Sequence, residues 1–207
     1  MKRFLSFFNS VLQETNLETI AVSTEVITWI HSVNNIISDW QDEGNSHIIS
    51  NQERMEYISQ LGTVFSEYRT KVYEKGFNGQ KELAIEAIND FLCTLINELD
   101  NTIQLNEDSN GFYHAYNTIN LDLKSKSENI KHLPIMLEGQ VAALSSGQLD
   151  MDNVISLLES IFESKLYRAD QHSFILYPVK DTTPFLHKNI IQPQSISKSS
   201  LLTTLLQ

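Results

Sequence analysis

With 207 residues, 41% of them apolar and only 7 glycines and 4 prolines, the chain is long enough to close a hydrophobic core and is expected to form one globular domain. Its 15 Lys and Arg against 26 Asp and Glu leave a formal net charge of −11, a field that opposes phosphate and excludes nucleic acid as an expected partner. A single cysteine excludes an intrachain disulfide, and no apolar run is long enough to span a bilayer, so a cytoplasmic protein with no membrane partner and no cofactor is expected.

The first residues pair Lys2 and Arg3 with Phe4, Leu5, Phe7 and Phe8, as a signal peptide would. Ser6, Asn9, Ser10, Gln13 and Glu14 interrupt the apolar run, and no small-residue cleavage site follows, so that reading is set aside. From Leu17 to Asp42, Val26, Ile30, Val33, Ile37 and Trp40 recur at alternating spacings of four and three, which places them on one helical face. Ile20, Ile27 and Ile36 widen the stripe, Trp29 and Trp40 read as packing residues, and Glu43-Gly44-Asn45-Ser46 supplies the helix stop. A second helix is predicted from Asn51 to Glu74, buried through Met55, Ile58, Leu61, Phe65, Tyr68 and Val72 and stopped by Gly76. A third runs from Gln80 to Ile103 with Leu83, Ala87, Phe91, Leu95 and Leu99 in line, and Cys93 in its apolar stretch reads as a small buried hydrophobe. Short polar turns between these helices predict antiparallel packing, with the core between the three.

After Leu105 the character changes to an Asn- and Asp-dense loop, Asn106-Glu107-Asp108-Ser109-Asn110-Gly111, and then to Phe112-Tyr113-His114-Ala115-Tyr116-Asn117. A short helix is expected over Leu133–Leu144, a second over Met151–Tyr167 with Asp150 as N-cap, and an extended piece through Phe174-Ile175-Leu176-Tyr177 to Pro178. The expected fold is therefore all-α or nearly so, an antiparallel helical bundle or a sector of a helical toroid, with about six helices and one short extended segment. Residues 1–191 form its single domain and 192–207 a flexible tail, and no internal repeat stands out.

Three clusters can carry chemistry. The loop at 106–111 places oxygen ligands at alternate positions before a glycine, as a calcium loop does, but its first position is Asn106 and its twelfth is Asn117 where a bidentate Glu is required. An Asx turn is the other reading of Asp108. The run Phe112 to Asn117 sets flat apolar faces beside polar groups, which suits sugars, with Tyr113, His114 and Asn117 as ligand contacts; such residues also sit at core margins without a ligand. Arg168, Asp170 and His172 crowd together after a helix, where Asp170 can orient His172 or take a bidentate contact from Arg168. A triad with Ser173 is rejected, because neighbours on an extended segment point to opposite faces. Glu138, inside an apolar helix, is either a general acid raised by burial or a hydrogen-bonded carboxylate at a helix surface, with Gly139 permitting close packing. His31, His47, His132 and His187 are too scattered for a metal site, and none is expected.

The strings Gly111 to Asn117, Met136-Leu137-Glu138-Gly139-Gln140-Val141-Ala142-Ala143-Leu144-Ser145-Ser146-Gly147, and Tyr167-Arg168-Ala169-Asp170-Gln171-His172-Ser173-Phe174-Ile175-Leu176-Tyr177-Pro178 resemble segments of large bacterial proteins of the carbohydrate-active helical-toroid class that includes the cellobiose phosphorylases. The resemblance implies a part of a longer protein whose loops line a glycan cleft. Carbohydrate recognition or processing follows as the expected function, with Glu138, Asp170 and His172 as acid, base or catalytic candidates and Asp108, Tyr113, His114, Asn117 and Arg168 as ligand contacts. The alternative is a non-enzymatic helical module that binds a protein partner or the remainder of a larger protein.

Overall fold

The computed structural model describes residues 1–42, 50–125, 127–178 and 183–205. The described residues form α1 (Lys2–Glu14), β1 (Thr19–Ser23), α2 (Thr24–Asp42), α3 (Asn51–Lys75), β2 (Gln80–Ala84), α4 (Ile85–Leu105), β3 (Asn117–Asp122), β4 (Ser127–His132), α5 (Leu137–Ser146), α6 (Met151–Glu163), β5 (Tyr167–Arg168) and β6 (Ser173–Phe174), followed by the short helices α7 (Phe185–Lys188), α8 (Pro193–Ile196) and α9 (Ser200–Leu205). Helix accounts for 60% of the described residues and strand for 14%, in three two-stranded antiparallel sheets, which overturns the expectation of an all-α or nearly all-α bundle or toroid sector. The chain divides into two compact units, Met1–Tyr177 and Pro178–Gln207. The short helices α7 to α9 belong to the second unit, whose Phe185, Leu186, Ile190, Ile191, Leu201 and Leu205 are exposed.

The error lay where helices begin. Residues 17–23 and 80–84 carry apolar side chains that extend a helical stripe on paper, yet Ile20 pairs across the sheet with Leu83, and Thr19 and Ser23 with Ala84 and Gln80. Each strand runs into its helix with no intervening breaker, so local composition does not separate the two states, and the partner strand decides. The helix stop expected at 43–46 lies outside the described residues, as does His47. α3 is bounded as its chemistry dictates: Ser50 accepts from the Glu53 backbone and Glu53 returns a bond to the Ser50 N–H, a full capping box, while Gly76 closes the other end.

The first four helices are built as two helix–strand–helix units, α1–β1–α2 and α3–β2–α4, whose boundaries repeat with an offset of 61 residues: Glu14 and Lys75, Thr19 and Gln80, Ser23 and Ala84, Thr24 and Ile85. Equivalent backbone bonds recur as well, Thr24 N–H to Gly79 O at 3.2 Å and Ile85 N–H to Glu18 O at 2.9 Å. The units exchange partners, since α1 packs on α4 and α3 on α2. Two apolar clusters result. Leu12, Leu83, Ile85, Ile88 and Leu92 form one. Val33, Ile37 and Phe91 form the other, with Trp29, Tyr57, Leu61 and Val64 against them. Trp29 lies edge-on to Phe91 and Trp40 to Tyr57, as packing residues. Tyr57 also donates to Glu98, and burial, then that carboxylate, pushes its phenol up. Cys93 is exposed rather than buried, because one step of about 100° past Leu92 carries it off the face that holds Ile88, Phe91 and Leu92.

Glu25 fastens this half. At 3% exposure its carboxylate accepts the backbone and side-chain N–H groups of Asn78 at 3.2 and 3.1 Å, tying the start of α2 to the turn before β2. Burial alone would raise its pKa; bonds from its own N–H and from Asn78, aided by Lys71, outweigh that and leave the group below the ordinary carboxylate value. A carboxylate depressed by folding contributes stability that is complete above its ordinary pKa and is lost as pH falls through its folded pKa. Glu25→Gln is therefore expected to unfold at lower urea than the native chain at neutral pH, with the gap closing at about pH 3. A gap that stays constant with pH in parallel urea titrations would remove the charge from this account.

Candidate functional site

The chain leaves α4 into a tight turn that engages its own polar groups. Asp108 Oδ1 accepts the N–H groups of Asn110 and Phe112 at 2.8 and 3.0 Å, the Asx turn, and the Asp108 and His114 N–H groups bond to Phe112 O and Asn106 O. Asn117 Nδ2 donates to Asn106 Oδ1 at 2.7 Å, so the first and twelfth positions of the calcium-like pattern hold each other. Tyr113 turns inward to 7% exposure and joins Ala143, Leu157 and Ile161 in a third apolar cluster. Its hydroxyl donates to Glu107 at 3.1 Å, and burial, then the carboxylate, pushes the phenol up to about 12. The aromatic alternation of the segment placed Tyr113 among ligand contacts; the fold makes it a core residue.

Helix α5 backs directly onto this segment. A Cβ on Gly139 would stand 2.2 Å from Tyr113 O and 3.0 Å from Ala115 N, so only glycine admits the backbone here, and the close approach is to a loop rather than to another helix. Gln140, wholly buried, accepts the Tyr113 N–H at 2.9 Å and donates to Tyr113 O and Met136 O at 2.9 and 2.8 Å. One side-chain amide thus satisfies both polar groups of a buried peptide.

His114 and His132 stack with ring centroids 4.3 Å apart and planes 17° from parallel. His114 Nδ1 donates to Leu133 O at 2.9 Å. His132 Nδ1 meets Asn117 Oδ1 at 2.7 Å, and that amide is fixed by the bonds from Asn117 Nδ2 to Asn106 and from Asn106 Nδ2 to Thr102 O, so His132 carries its proton on Nδ1. Burial, then His114 and Arg54, lowers the His132 pKa. The two imidazoles come together through the register of β3 and β4, which pairs Asn117 with His132.

Glu138 is the one expected acid that keeps an oxygen in reserve. Its Oε2 is buried and has no hydrogen-bond partner among the described residues. The Tyr116 hydroxyl lies near the Glu138 carboxylate, which, ahead of burial, raises the Tyr116 pKa, with Tyr177 adding to the effect. Tyr116 and Tyr177 are 53% and 54% exposed, so both rings remain open to solvent. The approach of Tyr177 is set by the Leu137 N–H, which bonds to Leu176 O at 3.1 Å. Parts of all three strings that carry the resemblance meet at this point.

Arg168, Asp170 and His172 form a separate feature. Arg168 Nε and Nη2 grip both oxygens of Asp170 at 2.8 and 2.7 Å, which raises the guanidinium and lowers the carboxyl. His172 has a left-handed backbone, φ 46°, at the turn between β5 and β6, and its Nδ1 leans on Tyr167 at 3.4 Å. All of these side-chain bonds stay inside the hairpin; Glu138 shares none of them. An open groove of about 1100 Å³ runs elsewhere, between α3 and the turn after β3, lined by Ile36, Met55, Val64 and Leu123 with Glu56 and Glu67, and none of the expected site residues lines it.

Tyr116, Tyr177, Gln140 and His132 were not singled out as site residues from their chemistry. The first three stand inside the three strings singled out in the sequence; the place of His132 is visible only through the strand register. No family model matches the chain, and no curated protein matches it either.

Gln140→Ala leaves the Tyr113 peptide unpaired and is expected to cost about 2–4 kcal/mol, and Gly139→Ala about 1–3 kcal/mol by overpacking, read from urea midpoints. Unchanged midpoints for both would mean that α5 does not bear on Tyr113 in solution. Because folding lowers the His132 pKa, protonation opposes the folded state, so stability is expected to fall as pH drops below the ordinary histidine value. His132→Asn should flatten that dependence between about pH 7 and pH 5, and an unaltered slope in thermal melts would reject it.

Proposed function

We propose that this protein recognises a carbohydrate at the Tyr116–Glu138–Tyr177 cluster. The observation that carries the reading is a carboxylate with one buried oxygen that has no partner among the described residues, near the exposed Tyr116, with the exposed Tyr177 held beside α5 by the Leu137–Leu176 backbone bond. Sugars present apolar ring faces that stack on aromatics and hydroxyls that donate to carboxylates, and a buried acceptor without a partner gains most from such a donor. His114 and Asn117, on the same segment as Tyr116, are oriented by their own bonds and support the site as positioning residues. Recognition is favoured over processing: Asp170 is engaged by Arg168 and His172 by Tyr167, so neither stands with Glu138 as a second acid or base. A role within a longer carbohydrate-active protein is part of the same proposal.

The test is a thermal-shift and calorimetric titration of the full chain with mono- and oligosaccharides, beside Glu138→Gln and Tyr177→Ala. A sugar that raises the native melting temperature, with the rise lost in both variants, supports the reading, since a ligand of the folded state alone must stabilise it. A cooperatively melting chain that no sugar shifts would overturn it.

A second reading, a helical interaction module, is favoured by α6, which leaves Met151, Ile155, Leu158 and Phe162 exposed at 72%, 47%, 42% and 54%. Four large apolar side chains on one face exceed the scattered exposure normal for a monomer surface.

A further inference from the structure

The exposed stripe of α6 has a charged border. Successive helical residues turn by about 100°, so Met151, Ile155, Leu158 and Phe162 fall within about 60° of arc, and Asp152, Glu159 and Glu163 follow along one side about 40–80° beyond its edge. The opposite side is closed by Leu157 and Ile161, which are buried in the cluster around Tyr113. The three carboxylates are exposed, α6 has no basic residue, and among the described residues no cation pairs with any of them. At the C-terminal end Phe162 packs edge-on to Tyr167 at 5.1 Å and to Phe174 at 5.0 Å, so the stripe runs into an aromatic end-stop fixed by the β5–β6 hairpin.

We propose that α6 is a docking site for an amphipathic helix of another protein whose apolar stripe is bordered by Lys or Arg. This deepens the interaction reading above and is independent of the sugar site, which uses other residues. The occupant follows from the border. An apolar stripe alone accepts any apolar helix, whereas a single-sided row of carboxylates spanning the full length of α6 rewards cations in one register and repels a like-charged surface. A second copy presenting α6 antiparallel would set Asp152, Glu159 and Glu163 against the same acidic row, so the surface selects against that pairing with itself. The row also fixes direction around the helix, because the side of the stripe opposite the carboxylates is filled by the core.

The probe is a synthetic 14-residue helix with Leu in a four–three–four stripe and Lys along one border, compared with the same peptide carrying Glu there. Fluorescence anisotropy with the full chain is expected to show the Lys peptide binding at least about tenfold tighter than the Glu peptide, weakening with salt. Leu158→Ser with Phe162→Ser should abolish binding of both peptides. The triple reversal Asp152→Lys, Glu159→Lys, Glu163→Lys, all on exposed positions, should invert the preference if circular dichroism shows it folded. Equal binding of both peptides would keep an interaction face and overturn the basic partner. Binding of neither would overturn both. A dimer in sedimentation of the free chain that Leu158→Ser with Phe162→Ser dissolves would mean the stripe is already covered and would also overturn the proposal.

Discussion

The candidate site hangs on one buried amide. Gln140 replaces a strand partner for Tyr113: it takes the peptide N–H and gives to the carbonyl, and it can do so only because Gly139 lets the loop backbone come within contact of the helix. Without that clamp the Tyr113 peptide would be a buried, unpaired polar group, which is among the costliest defects a fold can contain. With it, the turn after α4 is held at a fixed height on α5. His114, Tyr116 and Asn117 are then delivered outward on one side while Tyr113 is driven into the core. The neighbouring Leu137 N–H, bonded to Leu176 O, brings in Tyr177 by the same helix. A loop of ordinary polarity thereby acquires the rigidity of a secondary-structure element without being one.

Which polar groups remain available is decided by competition among neighbours. Asp108 has two backbone donors within four residues, Asp170 has a bidentate arginine two residues away, and Asn106 and Asn117 satisfy each other. Local partners win because they cost little chain entropy to bring together. Glu138 differs in that its position in the first turn of α5 puts one oxygen into a buried place with no hydrogen-bond partner among the described residues. The distinction between these carboxylates is therefore geometric rather than compositional.

That is also where legibility in the sequence ended. The bounds of α3 could be read because its signals are local: a Ser50–Glu53 box at one end and Gly76 at the other. Asp150 likewise announced α6. β1 and β2 could not be read, since Ile20 and Leu83 become strand residues only by finding each other across 63 positions of sequence. Parts of the three strings singled out in the sequence come together at the start of α5, where Leu137 bonds to Leu176. The chemically conspicuous Asp108, Arg168, Asp170 and His172 are engaged in turns and pairs, and the less conspicuous Tyr116 lies near Glu138, whose buried oxygen has no partner among the described residues. Residue type announces capacity, and only the fold reveals vacancy.

The exchange of helices between the two helix–strand–helix units bears on how the chain comes to its shape. α1 finds its packing surface on α4, and β1 finds its ladder on β2, so the first unit has no complete partner of its own. During synthesis Leu5 and Leu12 must stay in solvent until residues beyond Ile85 have appeared. Its contacts close late and over long loops, which slows the search relative to a bundle of adjacent hairpins. The same arrangement makes assembly all-or-none. Neither half gains a core before the other arrives, and partial structures of this region carry little stability of their own.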